Sequence, residues 1–400
     1  MTPEPLYTAN HLMSPDVLAD PYPAYHQLRD RSPLQYDFLP KGAAPGLGAT
    51  LRAWAFLKYD DVYNALHDHA TFSSGSPMVE NGLSPRLALI HDNPPRHSRF
   101  RKLVNKAFTP QRVEALEPWV AAIAKELIDE MGSGEAEVMQ SYAIPLPVKV
   151  IARLMGIPDE EYLTFRQWTE AYFSTLSMPA ETRNRYIEEM LAYFGRMAAA
   201  RRADRHDDLI TALVHAEVDG EKLEEWEILG FCTLLLIAGN ETTTNLIGNM
   251  LNVLAQRPAL WQNLREDRSH LNTVIDECLR YESPVQRLTR KVTHDVKVSS
   301  AQISAGDWVS IFYGAANRDP SEFPNPDEFR LDRDLRNHAA FGSGIHYCLG
   351  APLARLEARL TLNTLLDRFS TLAPGRGATV RQRASFFVLG YDRLALSFEN

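Results

Sequence analysis

Apolar residues recur at three- and four-residue steps from Arg96 to Tyr281, the spacing of one helical face after another. Pro110, Gly132 to Gly134, Pro145, Pro147, Pro158, Pro179, Gly220 and Pro258 cut this region into helices of ordinary globular length. One segment, Glu224 to Gln256, is longer. It opens on acidic residues, stops before Pro258 and is apolar on most sides through Leu229, Phe231, Leu234, Leu235, Leu236, Ile237, Leu246, Ile247, Leu251 and Leu254. A helix apolar all round is a buried one, so this segment is expected to run through the middle of the protein.

After Pro284 the pattern shortens. Val296 to Val298 and Trp308 to Phe312 read as strands, with Ser304 to Asp307 as a turn between them. Ser385 to Leu389 and Leu394 to Phe398 read as a hairpin around Gly390-Tyr391-Asp392. Nearer the start, a short helical pattern runs from about Pro23 to Asp30, Ala53 to Tyr59 has the aromatic content of a strand, and Asp60 to His67 reads as a helix. Phe72 to Leu87 is apolar but unperiodic, which suits a partly buried or ligand-facing loop. Leu349, Leu353, Leu356 and Leu360 predict a last helix, with Pro352 suited to its first turn. The expected fold is mainly α with a small β portion (α+β). A single domain over residues 1–400 would have its helix-rich core at about 60–285 and 349–370, and its β-rich parts at about 35–60, 292–315 and 380–400.

Composition narrows the chemistry. A net charge of −9 with no basic block argues against nucleic acid as a partner. The three cysteines, Cys232, Cys278 and Cys348, form no CxxC pair and fit a reducing compartment. The start has no basic region followed by an apolar run, and the strongest apolar segment, Phe231 to Ala238, is far too short to span a bilayer. A cytoplasmic protein without membrane insertion is expected.

Three stretches carry candidate chemistry. Phe341-Gly342-Ser343-Gly344-Ile345-His346-Tyr347-Cys348-Leu349-Gly350 is a glycine-rich loop that presents one cysteine just before a helix. Helix-start N–H groups favour thiolate, so Cys348 is either a metal ligand or a nucleophile. Ala238-Gly239-Asn240-Glu241-Thr242-Thr243 places a glycine, a carboxylate and hydroxyls inside the buried helix. It reads either as a satisfied polar kink, with Thr bonding back four residues, or as a proton-delivery pair. Glu277 and Arg280 share a helical face, a weak signal alone. His97, Arg101, Arg290 and His346 are scattered cations that together would suit a dianionic ligand.

In this order, Ala238-Gly239-x-Glu241-Thr242-Thr243, Glu277-x-x-Arg280 and Phe341-Gly342-x-Gly344-x-His346-x-Cys348-x-Gly350 closely resemble the soluble bacterial members of the cytochrome P-450 superfamily. Asn317-Arg318-Asp319-Pro320 and Asn93 to Ala107 extend the resemblance over essentially the whole chain. It implies haem b, with O2 as co-substrate, and Cys348 as the axial thiolate ligand of the iron. Phe341 would cover the thiolate side, with Gly342 and Gly350 shaping the loop. His97, Arg101, Arg290 and His346 would hold the haem propionates. Ala238 and Gly239 would leave room for O2, and Glu241 and Thr242 would deliver protons. Glu277 and Arg280 would brace the segment around Arg318. By analogy the substrate wall would include Met78, Val79, Leu87, Phe173, Leu176, Leu236, Asn240, Val285, Leu288, Phe387 and Val388, which implies a small, mainly apolar organic substrate such as a terpenoid, aromatic, fatty acid, steroid or macrolide. A monomer is implied, fed by a separate ferredoxin or flavodoxin with its reductase and steered by Arg101, Lys102, Lys106, Arg112, Arg355 and Arg359. A peroxide-driven peroxygenase and a non-catalytic haem sensor are the rival activities.

Overall fold

The computed structural model describes residues 7–42, 47–105, 108, 110–173, 178–218, 220–383 and 385–400. The fold is mainly α with small sheets, and its residues gather into two compact units. The first comprises residues 1–84, 276–348 and 381–389; the second comprises 85–275, 349–380 and 390–400.

The first unit is built on a five-stranded sheet. Its strands run in the order Leu34–Leu39, Leu51–Phe56, Trp308–Ile311, Leu288–Val292 and Phe72–Ser74. The only parallel pairing in this sheet sets Ala55 opposite Ser310. Tyr36, Phe38, Phe312 and Phe386 pack edge to face in its core. The Tyr59–His67 helix buries Tyr59, Val62, Ala65 and Leu66, apolar positions three and four apart.

The predicted strand at Val296–Val298 forms, but it pairs with Ala301–Ile303, a partner too short to stand out in sequence. The C-terminal hairpin does not form. Residues 385–389 instead bond to the turn after Pro284: Val285 bridges Val388, and the Gln286 and Leu389 amides donate to Phe387 and Pro284. The expected loop from Phe72 to Leu87 holds one short strand, Phe72–Ser74, and one helical turn, Pro77–Glu80, whose N-cap Ser76 accepts from the Met78 amide.

In the second unit the long helix extends from Glu225 to Ala255 and is capped at its start by a reciprocal Glu224–Glu227 box. Its neighbours include Pro145–Leu154, Tyr162–Phe173, Ala180–Ala203 and the helix after the cysteine, Ala351–Arg368. A three-stranded sheet has Ala395–Glu399 at its centre, between Thr371–Pro374 and Gly134–Glu137. Among the described residues no helix is long and apolar enough to cross a membrane.

Candidate active site

The cysteine loop closes on itself in the first unit. The Cys348 amide donates to the Phe341 carbonyl at 2.9 Å, and the Gly342 amide to that of Ala339 at 2.8 Å. Gly344 has φ +66°, and a Cβ there would stand 2.4 Å from the Leu66 carbonyl oxygen, so backbone contact alone excludes any larger residue. The Phe341 ring lies between those of His338 and Tyr347. Cys232 and Cys278 are buried, and burial raises the Cys232 thiol to about 12. Cys348 alone of the three is partly open. The next helix starts at Ala351, with Pro352 in its first turn.

Two of the four cations, Arg290 and His346, belong to this unit and both neighbour one serine, though only His346 is bonded to it. Arg290, buried on its strand, lies directly opposite Ser74 in the antiparallel ladder, and Ser74 Oγ is 2.6 Å from His346 Nε2. Ser74 escaped the sequence reading, because only strand register reveals it. The other two, His97 and Arg101, lie four apart on the Arg96–Asn105 helix of the second unit, His97 being buried. Arg96 and Arg99, on another face of that helix, are engaged by Glu227.

Glu277 and Arg280 are fully buried, and two 2.7 Å bonds join them. Arg280 also donates to the carbonyls of Asn317, Pro326 and Glu328, while Glu277 accepts from the Arg330 amide. Arg318 donates to the Tyr281 carbonyl and to Asp327.

The central helix of the second unit is buried along most of its length but opens at one turn. Ala238 is exposed and Gly239, Glu241 and Thr242 are half-buried. Thr242 Oγ1 donates to the Ala238 carbonyl at 2.7 Å, the local back-bond that Thr makes inside helices. Glu241 accepts from Asn245 at 3.4 Å. Burial raises its carboxyl to about 7; Glu170 and Asp392 add to the rise, and Asn245 and Arg166 oppose it. Arg166, Glu170 and Asp392 were not legible as neighbours of Glu241, since they come from another helix and from the C-terminal strand region.

A Cβ on Gly239 would stand 2.6 Å from Ile151 Cδ1, so its missing side chain admits the neighbouring helix. Leu236 and Asn240 lie on the other side of the central helix. Two residues along a helix is a turn of about 200°, which puts both opposite Ala238. Leu236 is fully buried, and Asn240 donates to Thr169 at 3.3 Å. Leu234, four residues before Ala238, shares its face instead.

Of the other wall candidates, Val285, Leu288 and Phe387 are half-buried neighbours in the first unit, with Val388 buried beside them. Met78 packs in the core with Tyr25, Leu39 and Phe312, while Val79 is half-buried. Leu87 is buried in the second unit. Phe173 ends the Tyr162–Phe173 helix, and Leu176 lies outside the described residues.

In the first unit, a partly open cysteine in a backbone-tight loop, with His346 bonded to Ser74 and Arg290 beside it on the sheet, suits an anionic, metal-bearing group. The sequence model of the family Cytochrome P-450 matches residues 147–390. The chain belongs to the cytochrome P-450 family. It is therefore a monooxygenase that binds haem b and takes O2 as co-substrate. It is 39% identical over 368 residues to the cytochrome P-450 monooxygenase PikC of Streptomyces venezuelae, covering 90% of this chain and 86% of that one. It is 37% identical to the erythromycin C-12 hydroxylase of Saccharopolyspora erythraea, covering 85% and 88%. Among solved structures, the P-450 PksS of Bacillus subtilis 168 superposes with a TM-score of 0.88 at 34% identity, covering 98% and 100% of the two chains.

Proposed function

We propose that this monooxygenase inserts one oxygen atom into a large, mainly apolar ring compound of the macrolide or steroid kind. The open turn at Ala238, flanked by Thr242 and Glu241, is the observation that carries the reading. The kinship to an erythromycin hydroxylase, and to an enzyme solved in complex with testosterone, supports the substrate class.

Cys348 would hold the haem iron through its thiolate, and Phe341 would cover that side of the cofactor. His97, Arg101, Arg290 and His346 hold the propionates, with Ser74 orienting His346. Bound haem supplies the redox-active iron at which O2 is activated. Thr242 holds a proton-bearing hydroxyl at the open turn. Glu241, with a carboxyl near 7, takes up and gives protons at neutral pH. Ala238 leaves room for O2, and Leu234, Val285, Leu288 and Phe387 form apolar wall. Glu277, Arg280 and Arg318 are structural. The chain works as a monomeric, cytoplasmic haem domain.

Electrons come from a separate ferredoxin or flavodoxin and its reductase, steered by cations of the second unit. Arg359 is already shared with Glu117 at 2.9 Å and so steers less than Lys102, which is exposed. Lys106 lies outside the described residues.

The test is a spectral titration of the ferric protein with erythromycin-type macrolides, testosterone, terpenoids and aromatics. A macrolide or steroid should shift the ferric spectrum at lower concentration than the terpenoids and aromatics do. Cys348→Ser should abolish the thiolate-type absorption of the reduced protein under carbon monoxide, and Thr242→Ala should uncouple electron use from product. Turnover of wild type with H2O2 alone, without a redox partner, would argue for a peroxygenase instead.

A further inference from the structure

Within the second unit, the segment Gly390-Tyr391-Asp392 lies against the central helix beside its carboxylate. Asn245 is buried one turn after Glu241, and its Nδ2 donates to Glu241 Oε1 at 3.4 Å. Asn252, two turns beyond Asn245 on the same face, donates to the Tyr391 hydroxyl at 2.6 Å. Gly248 lies between them, and a Cβ on it would come within 3.9 Å of the Tyr391 ring. One stripe of the helix thus carries the acid at one end and the anchor of the C-terminal segment at the other.

Gly390 makes the closest approach to this stripe. A Cβ on it would stand 1.9 Å from Asn245 Oδ1, 2.4 Å from Cγ and 3.1 Å from Cβ. Its backbone is not in the left-handed region, so glycine is needed here for space and not for conformation. The fit confines Asn245. Turning the amide about χ2 moves Oδ1 but leaves Cγ in place, so any side chain at residue 390 would force a change of χ1 and carry Nδ2 away from Glu241. Charged groups reach Glu241 from two other elements: Arg166 and Glu170 from the Tyr162–Phe173 helix, and Asp392 from the C-terminal segment itself.

We propose that Asn245 and Gly390 are positioning residues for the proton step: the bare backbone of Gly390 seats the Asn245 amide, and the amide holds the Glu241 carboxyl at the open turn. The inference rests on the reading of Glu241 as a proton carrier and deepens it, because the C-terminal segment then takes part in control of that group. A donor to the carboxylate favours its charged form and a nearby carboxylate favours its neutral form. Asn245 and Asp392 therefore pull Glu241 in opposite directions.

The test follows the carbonyl stretch of the protonated Glu241 carboxyl in infrared spectra of the ferric holoenzyme, each protein minus its own Glu241→Gln version. In wild type the band should fade around pH 7. Asn245→Leu keeps a similar volume and removes the donor, so it should move that midpoint up by about half a pH unit, the low end for one hydrogen bond. Gly390→Ala should move it the same way and add nothing in an Asn245→Leu background. Asp392→Asn, at low ionic strength, should move it down. Packing that is merely loosened admits water and lowers the midpoint in every variant, so the opposite signs mark positioning. An unmoved or lowered midpoint in Asn245→Leu, or additive effects of Gly390→Ala and Asn245→Leu, would overturn the proposal. The pH profile of product coupling tests the reading of Glu241 separately. If the midpoints move as stated and coupling does not follow them, Asn245 and Gly390 position the carboxyl, and it is the proton-carrier reading that fails.

Discussion

Glu241 makes stability depend on pH in a direction opposite to that of most carboxylates. Its carboxyl rises from 4.5 to about 7 on folding, chiefly because apolar surroundings disfavour the charge. The folded protein thus holds this proton more tightly than the unfolded chain does. The penalty is absent below about pH 4.5, grows as pH rises between the two values, and is complete above pH 7. At 1.36 kcal/mol per pH unit, and allowing for the part of the residue that water reaches, the full penalty is about 2–3 kcal/mol. Glu241→Gln keeps the shape and a partner for Asn245 but has no charge to desolvate. Urea midpoints of the two proteins should therefore differ little at pH 5, and at pH 8 the Gln protein should be the more stable by about that amount. A difference independent of pH between 5 and 8, or a Gln protein less stable at pH 8, would show that the carboxyl is not held near neutrality. The same titration should appear in the pH profile of product coupling.

Three further outcomes follow from the packing. Glu277→Ala leaves Arg280 buried without its acid and should cost about 3–5 kcal/mol of stability in denaturant unfolding. Gly239→Ala drives a methyl group into Ile151 and should cost about 1–3 kcal/mol. Combined with Ile151→Ala, which removes both clashing carbons Cγ1 and Cδ1, it should cost clearly less than the sum of the two single changes, a coupling that a double-mutant cycle reads directly. Gly344→Ala should lower haem retention as well as stability, since its Cβ meets the Leu66 carbonyl and the cysteine loop has to shift.

What could be read from the chain was what local pattern controls. The central helix announced itself by apolar residues on every side and by its acidic start, and its observed ends, Glu225 and Ala255, lie one residue inside the expected ones. The helix after Cys348 was as clear. Strands were harder. Gly134–Glu137 is acidic and four residues long, and it is a strand because Ala395–Glu399 arrives from some 260 residues away to pair with it. The hairpin expected at the C-terminus failed for the same reason: Val388 and Leu389 find partners at Val285 and Pro284 rather than in their sequence neighbours.

At the candidate site, motif spacing singled out Cys348, Thr242 and Glu241 as candidates. Facing was a finer matter. Leu236 and Leu234 are equally apolar, and only the helical angle to Ala238 separates core from open face. Ser74 carried no signal at all, because only strand register sets it opposite Arg290.

The parallel pairing of Ala55 with Ser310 has a consequence during synthesis. The strand Leu51–Phe56 leaves the ribosome with Leu34–Leu39 as its partner on one edge, but its other edge waits for Trp308–Ile311. About 250 residues must be made first, which at 5–20 residues per second is roughly 13–50 s. Through that interval a strand bearing Trp54 and Phe56 shows an unpaired edge while the helices of the second unit are being made and packing locally. Until then the nascent chain carries an unpaired strand edge, the kind of surface that invites pairing with another chain.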